Sequence, residues 1–161
     1  MTQLGRRLTL KGVKPIAPFQ WPREALWLYG LVSPQTGESF FYEYSHLDGR
    51  CFEHYLHVFS QAFPTHINVI QLDGAGAHIA QGIEIPDNIV LLFQPPHSPE
   101  LNPIERLWLD LKLDFRGENF ASLDQLRTAM SEVLGYLTPE WIMSLIQYPY
   151  IMDALSAASI A

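Results

Sequence analysis

Ile67-Asn68-Val69-Ile70-Gln71-Leu72-Asp73 is an apolar, β-branched run that ends in an acid, and Gly74-Ala75-Gly76-Ala77-His78 follows it at once. The run reads as a buried strand and the glycine-rich stretch as a loop or helix start. An acid at the carboxyl end of such a strand stands where open α/β sheets carry their functional groups. The same Asp-Gly pair also serves as ordinary turn chemistry, so position alone does not assign Asp73 a role.

Reading outward, a second strand is expected over Ile89 to Phe93, running into Gln94-Pro95-Pro96-His97-Ser98-Pro99. Upstream, Leu26 to Val32 and Glu38 to Tyr44 are rich in strand formers and flank Ser33-Pro34-Gln35-Thr36-Gly37, which predicts an antiparallel hairpin. From Asp48 to Phe63 the apolar positions Cys51, Phe52, Tyr55, Leu56, Phe59 and Phe63 recur at three and four residues. That spacing predicts an amphipathic helix capped by Asp48 and closed by Pro64. After Asn102, Ile104, Leu107, Trp108, Leu111 and Phe115 share one helical face, and further helices are expected from about Leu123 to Leu134 and from Pro139 onward. Hairpin, helix, strand, strand and helices make an α/β layout with helices flanking a mixed sheet.

The totals agree with one domain. The chain has 161 residues, 48% of them hydrophobic and only 17% charged, so it holds enough apolar material for one core. No apolar run is long enough to span a bilayer and no signal segment follows Met1, which gives a cytoplasmic expectation with no membrane partner. Cys51, the single cysteine, excludes an internal disulfide and is expected to be a small buried hydrophobe.

Charge is unevenly spread. The net charge of −7 has the wrong sign for a simple nucleic-acid-binding domain. Yet Met1 to Ala25 carries Arg6, Arg7, Lys11, Lys14 and Arg23 against Glu24 alone, while the rest holds five basic residues against sixteen acids. A basic arm, residues 1–25, therefore precedes an acidic body; a core over 26–134 and a helical extension over 135–161 complete the expected organisation.

The segment Pro95-Pro96-His97-Ser98-Pro99-Glu100-Leu101-Asn102-Pro103-Ile104-Glu105-Arg106-Leu107-Trp108 carries the second candidate acid. Locally, Asn102 as N-cap, Pro103 at N1 and Glu105 at N3 approach a capping box. A cap accounts for Glu105 but not for the rigid prolines before it, which fix the helix entry and hold Glu105 relative to a neighbouring strand end.

With the Asp-Gly-Ala-Gly-Ala-His element ahead of it, Ser-Pro-Glu-Leu-Asn-Pro-Ile-Glu-Arg-Leu-Trp resembles the DDE transposases of the mariner superfamily and their bacterial insertion-sequence relatives. The two motifs occur in the family's order, with thirty-one residues between Asp73 and Glu105, slightly fewer than is usual there. The resemblance implies a ribonuclease H-like mixed sheet flanked by helices. It implies Asp73 and Glu105 as catalytic, metal-binding acids for Mg²⁺ or Mn²⁺, His78 and Asn102 as supporting residues, and Arg6, Arg7, Lys11 and Lys14 as DNA contacts. Hard cations take carboxylate oxygens, and a two-metal site activates an attacking oxygen and stabilises a leaving one. DNA at transposon ends would be the substrate.

The family's first aspartate lies on a strand just before the basic arm, and in this sequence no acid precedes Glu24. The resemblance therefore implies an N-terminally truncated domain that lacks its first, central strand and is inactive alone. The alternative is a non-catalytic remnant that pairs with itself or with a full-length transposase, since an incomplete sheet leaves backbone groups seeking partners. His54, His57 and His66 suggest zinc superficially, but no acid or cysteine completes an evident cage, and an exposed histidine face is expected instead.

Overall fold

The hairpin forms first in chain order, for local reasons. Ser33 and Gly37 close its turn through Gly37 N–H to Ser33 O (2.8 Å) and Ser33 N–H to Glu38 O (2.8 Å). Gly37 takes φ +72, a left-handed conformation that a side chain would strain. In a computed structural model that describes residues 25–73 and 82–159, β1 (Trp27–Val32) and β2 (Ser39–Tyr44) pair antiparallel, with Tyr29 opposite Tyr42 and Leu31 opposite Phe40. Alternation divides the ribbon into two faces. Tyr29, Leu31, Phe40 and Tyr44 turn one way, and Gly30, Val32 and Phe41 the other.

Helix α1 (Gly49–Ala62) covers the first face. Asp48 caps it, its carboxylate accepting the Cys51 N–H at 2.9 Å. Phe52, Tyr55 and Leu56 are buried, and the Tyr55 hydroxyl donates to the Phe40 carbonyl at 2.8 Å. Burial pushes the Tyr55 phenol far above the usual tyrosine range and the Tyr44 phenol up to about 12. Cys51 is half-buried, not fully buried as expected; burial and then the hydrogen bond to Asp48 raise its thiol pKa, away from the reactive thiolate.

The same helix serves a second sheet. β3 (Asn68–Leu72) and β4 (Ile89–Phe93) pair parallel, with Ile70 opposite Leu91. Ile70, Leu72, Ile89 and Leu91 join the α1 core together with the residues of the hairpin's first face. Asn68 and Asn88 fasten the lower end: Asn88 Nδ2 donates to Phe63 O (3.1 Å), and the Ser60 hydroxyl donates to Asn88 Oδ1 (2.6 Å).

Helix α2 (Ile104–Asp114) covers the hairpin's other face. Ile104, Leu107 and Leu111 are buried against Val32 and Phe41, with Trp108 packed beside them. Gly30 permits this approach, because a Cβ there would come within 2.8 Å of the Trp108 ring and 2.7 Å of Phe41. Helices α3 (Leu123–Gly135) and α4 (Pro139–Ile146) complete that cluster through Val133, Leu134 and Leu145, and α5 (Pro149–Ser159) follows. Ser122 and Thr138 cap α3 and α4 with their side chains, as their types favour.

The α/β class and the element order are those expected. The single mixed sheet is not what the described residues form: they build two separate two-stranded sheets, one antiparallel and one parallel, held by a shared helix and not by a ladder between them. Arg6, Arg7, Lys11, Lys14 and His78 lie outside the described residues. Among those described, no helix is long and apolar enough to cross a membrane.

Candidate functional site

Asp73 follows β3 directly, and it is exposed. Beyond the last paired residues, the Gln94 N–H donates to the Leu72 carbonyl at 2.8 Å, adding one rung to the parallel ladder. That rung sets Gln94 beside Asp73 at the carboxyl ends of the two strands. Gln94 is 7% exposed, and among the described residues its Nε2 has no hydrogen-bond partner.

From Gln94 the chain turns through Pro95, Pro96 and His97. His97 adopts φ +61, in the left-handed region that histidine enters more readily than most side chains. A short 3-10 turn, Pro99–Leu101, then leads to α2. Two bonds fix this entry from outside it. The Gln71 Nε2 donates to the Leu101 carbonyl at 2.9 Å, and the Tyr150 hydroxyl of α5 donates to the Glu100 carbonyl at 2.6 Å. Gln71 lies two residues before Asp73 and Leu101 four before Glu105, so the first bond ties the end of β3 to the approach of α2.

Asn102 and Pro103 have the backbone of N-cap and first helical residue: φ −96, ψ 107 and φ −59, ψ −32. The capping box itself does not form. The Glu105 N–H goes to the Asn102 main-chain carbonyl (3.1 Å), and the Asn102 N–H to Pro99 O (3.0 Å). With the Asn102 N–H engaged elsewhere, the Glu105 carboxylate is not drawn back into a cap. It stays exposed in the first turn of α2. Arg106, next to it, lies over the Tyr148 ring at 5.2 Å.

The three histidines do not gather. His54 Nδ1 meets the Tyr44 hydroxyl at 2.7 Å, His66 Nδ1 meets its neighbour Thr65 at 3.1 Å, and His57 lies beside Glu53 and Glu84. Gln94 and Glu84 are residues that reading the sequence missed. Neither carries a local signal: a glutamine after a strand and a glutamate in a loop are ordinary until the tertiary fold places them.

Residues 2–127 match the family model of the DDE superfamily endonucleases. The chain belongs to this family. Among curated proteins, an uncharacterised Sinorhizobium fredii protein (strain NBRC 101917 / NGR234), y4pE/y4sA, is 34% identical over 83 residues, covering 51% of this chain and 62% of that protein. The chain thus spans less than two thirds of this relative's length. No solved structure matches. The match to the DDE endonuclease family includes Asp73, Gln94, Asn102 and Glu105, and it stops within α3.

Proposed function

We propose that this DDE endonuclease domain is part of a transposase catalytic unit acting on DNA phosphodiesters, with Asp73 and Glu105 as ligands for Mg²⁺ or Mn²⁺. The observation that carries the reading is the Gln71–Leu101 hydrogen bond, which joins the strand end bearing one acid to the helix entry bearing the other. Two exposed carboxylates are the hard donors those ions take. When bound, a pair of such ions supplies the charge stabilisation and oxygen activation that phosphodiester cleavage needs. The protein's own part is to hold one carboxylate directly after β3 and the other in the first turn of α2. The Gln94 N–H bond to the Leu72 carbonyl continues the ladder to the position of Asp73.

A third acid would come from a strand joining the hairpin to the parallel pair, and ribonuclease H-like topology is the arrangement that this implies. Among the described residues the two sheets are not joined, which favours this reading, since each leaves edge groups that such a strand would pair. Arg6, Arg7, Lys11 and Lys14 would contact the phosphate backbone, whose neutralisation they favour by charge.

Plasmid nicking in Mn²⁺ tests this, using the 161-residue chain alone and the same chain extended by its upstream coding sequence. Negligible nicking by the first, and nicking by the second that Asp73→Asn and Glu105→Gln each abolish, is the expected pattern. Strong nicking by the chain alone would remove the need for a joining strand. Nicking that survives both substitutions would remove the site.

A second reading, a non-catalytic partner that pairs with itself or with a full-length transposase, is favoured by the open apolar face of the parallel pair, where Val69, Val90 and Leu92 are exposed. Light scattering distinguishes it, because a strictly monomeric chain at high concentration would count against it.

A further inference from the structure

Glu53 and His57 lie one turn apart on the same face of α1, at the i and i+4 spacing that lets two side chains meet. Glu84 returns to this face from the chain leading into β4, and one ligand atom from each of the three residues lies within 4.8 Å of the others. The Glu84 N–H donates to Glu53 Oε1 at 3.0 Å, which docks that stretch on the helix. A carboxylate has a second oxygen, so this bond orients Glu53 and still leaves it a donor atom.

Among the described residues the ion pairs are those of Arg127 with Glu43 and with Asp124, so no described lysine or arginine neutralises Glu53 or Glu84. Two carboxylates and an imidazole held together with no basic partner among the described residues form a cation-binding donor set. We infer that Glu53, His57 and Glu84 bind a divalent transition metal of the Zn²⁺ class.

One imidazole nitrogen with two carboxylate oxygens suits Zn²⁺ and leaves a fourth position for water. It suits Mg²⁺ poorly, because that ion prefers oxygen ligands in octahedral geometry. Ligand atoms around tetrahedral Zn²⁺ stand about 3.4 Å apart, from metal–ligand distances of about 2.0–2.2 Å. The three ligand atoms lie within 4.8 Å of one another, so metal binding draws them closer by about an ångström. Bound metal would clip the chain at Glu84 to α1 and so fix the downstream end of the connection that begins at Asp73. The site uses neither Asp73 nor Glu105 and stands apart from the DNA chemistry proposed for them.

The test is calorimetric titration of the metal-free 161-residue chain with Zn²⁺. One equivalent should bind, and His57→Ala and Glu84→Gln should each weaken binding by at least about tenfold, since loss of an outer-shell partner alone costs that much. The double variant Asp73→Asn/Glu105→Gln should bind Zn²⁺ as the parent does. Glu84 is exposed, so Glu84→Gln leaves the fold intact, which circular dichroism checks. Absence of saturable binding, binding unchanged in both single variants, or binding lost in the double variant would each overturn the inference.

Discussion

The two sheets are built from similar material and end in different states. The hairpin is covered on both faces, by α1 through Tyr29, Leu31 and Phe40 and by α2 through Phe41 and Trp108. The parallel pair is covered on one. Ile70, Leu72, Ile89 and Leu91 meet α1, while Val69, Val90 and Leu92 on the reverse are 64%, 49% and 54% exposed. An antiparallel ribbon closes through a short turn and needs little else to set its register, whereas parallel strands depend on crossovers and on neighbours over both faces. The candidate acid Asp73 belongs to the sheet that is less finished.

The contrast predicts unequal responses to the same truncation. Leu56 is fully buried in the core that both sheets share, so Leu56→Ala should destabilise the chain by ~2–5 kcal/mol in urea unfolding. Leu92→Ala, on the open face, should change stability by no more than about 0.5 kcal/mol. A large loss at Leu92 would mean that the face is covered in solution, and the comparison would fail.

A smaller effect is expected where the hairpin is most tightly covered. Gly30→Ala places a methyl against Trp108 and Phe41, and rings so packed cannot swing aside as a flexible chain would. Overpacking of this kind costs about 1–3 kcal/mol. Loss of Trp108 fluorescence change on unfolding would accompany it if α2 leaves its seat, whereas a neutral result would show that the α2 contact is looser than the hairpin's first face.

What the sequence discloses follows the same division. The hairpin, its turn at Ser33 to Gly37, the Asp48 cap and the α1 face are all legible, because each is set by residues within a few positions of one another. β4 is read to its final residue, since prolines mark its end. The relation between the sheets is not legible: strand pairing across the chain has no local signature, and the two halves prove to be joined through the buried side chains of α1. At the candidate site, Asp73 and Glu105 stand out by motif, and the helix start at Pro103 follows from the proline. The capping box fails because the 3-10 turn takes the Asn102 N–H, a competition that spacing does not reveal. Glu84 joins Glu53 and His57 only through folding, so the expectation that no acid accompanies these histidines misses the cluster.

Gln94 sharpens the comparison from the parallel pair's side. Its buried Nε2 lacks a partner among the described residues, so Gln94→Leu exchanges an unsatisfied donor for an apolar group of similar size. Removing that penalty should stabilise the chain by about 1 kcal/mol, read as a higher urea midpoint with unchanged slope. Unchanged stability would mean that an ordered water already satisfies the amide, and Gln94 would then be settled without Asp73.

The smallest effect belongs to the finished region and appears only with pH. The Asp48 carboxyl is held below the usual carboxylate range, first by the Cys51 backbone N–H and then by the Cys51 side chain. A depressed folded pKa adds stability above the unfolded value, and that contribution is lost as pH falls through the folded one. Asp48→Asn keeps a good cap without a titrating group. The melting temperature of the parent should therefore exceed that of Asp48→Asn by a constant margin from about pH 5 to pH 8. Below about pH 4 the margin should shrink as the parent's cap protonates. A margin that stays constant under acid would place the cap's worth in its geometry and not in its charge. α1 would then hold both sheets equally well whatever the pH.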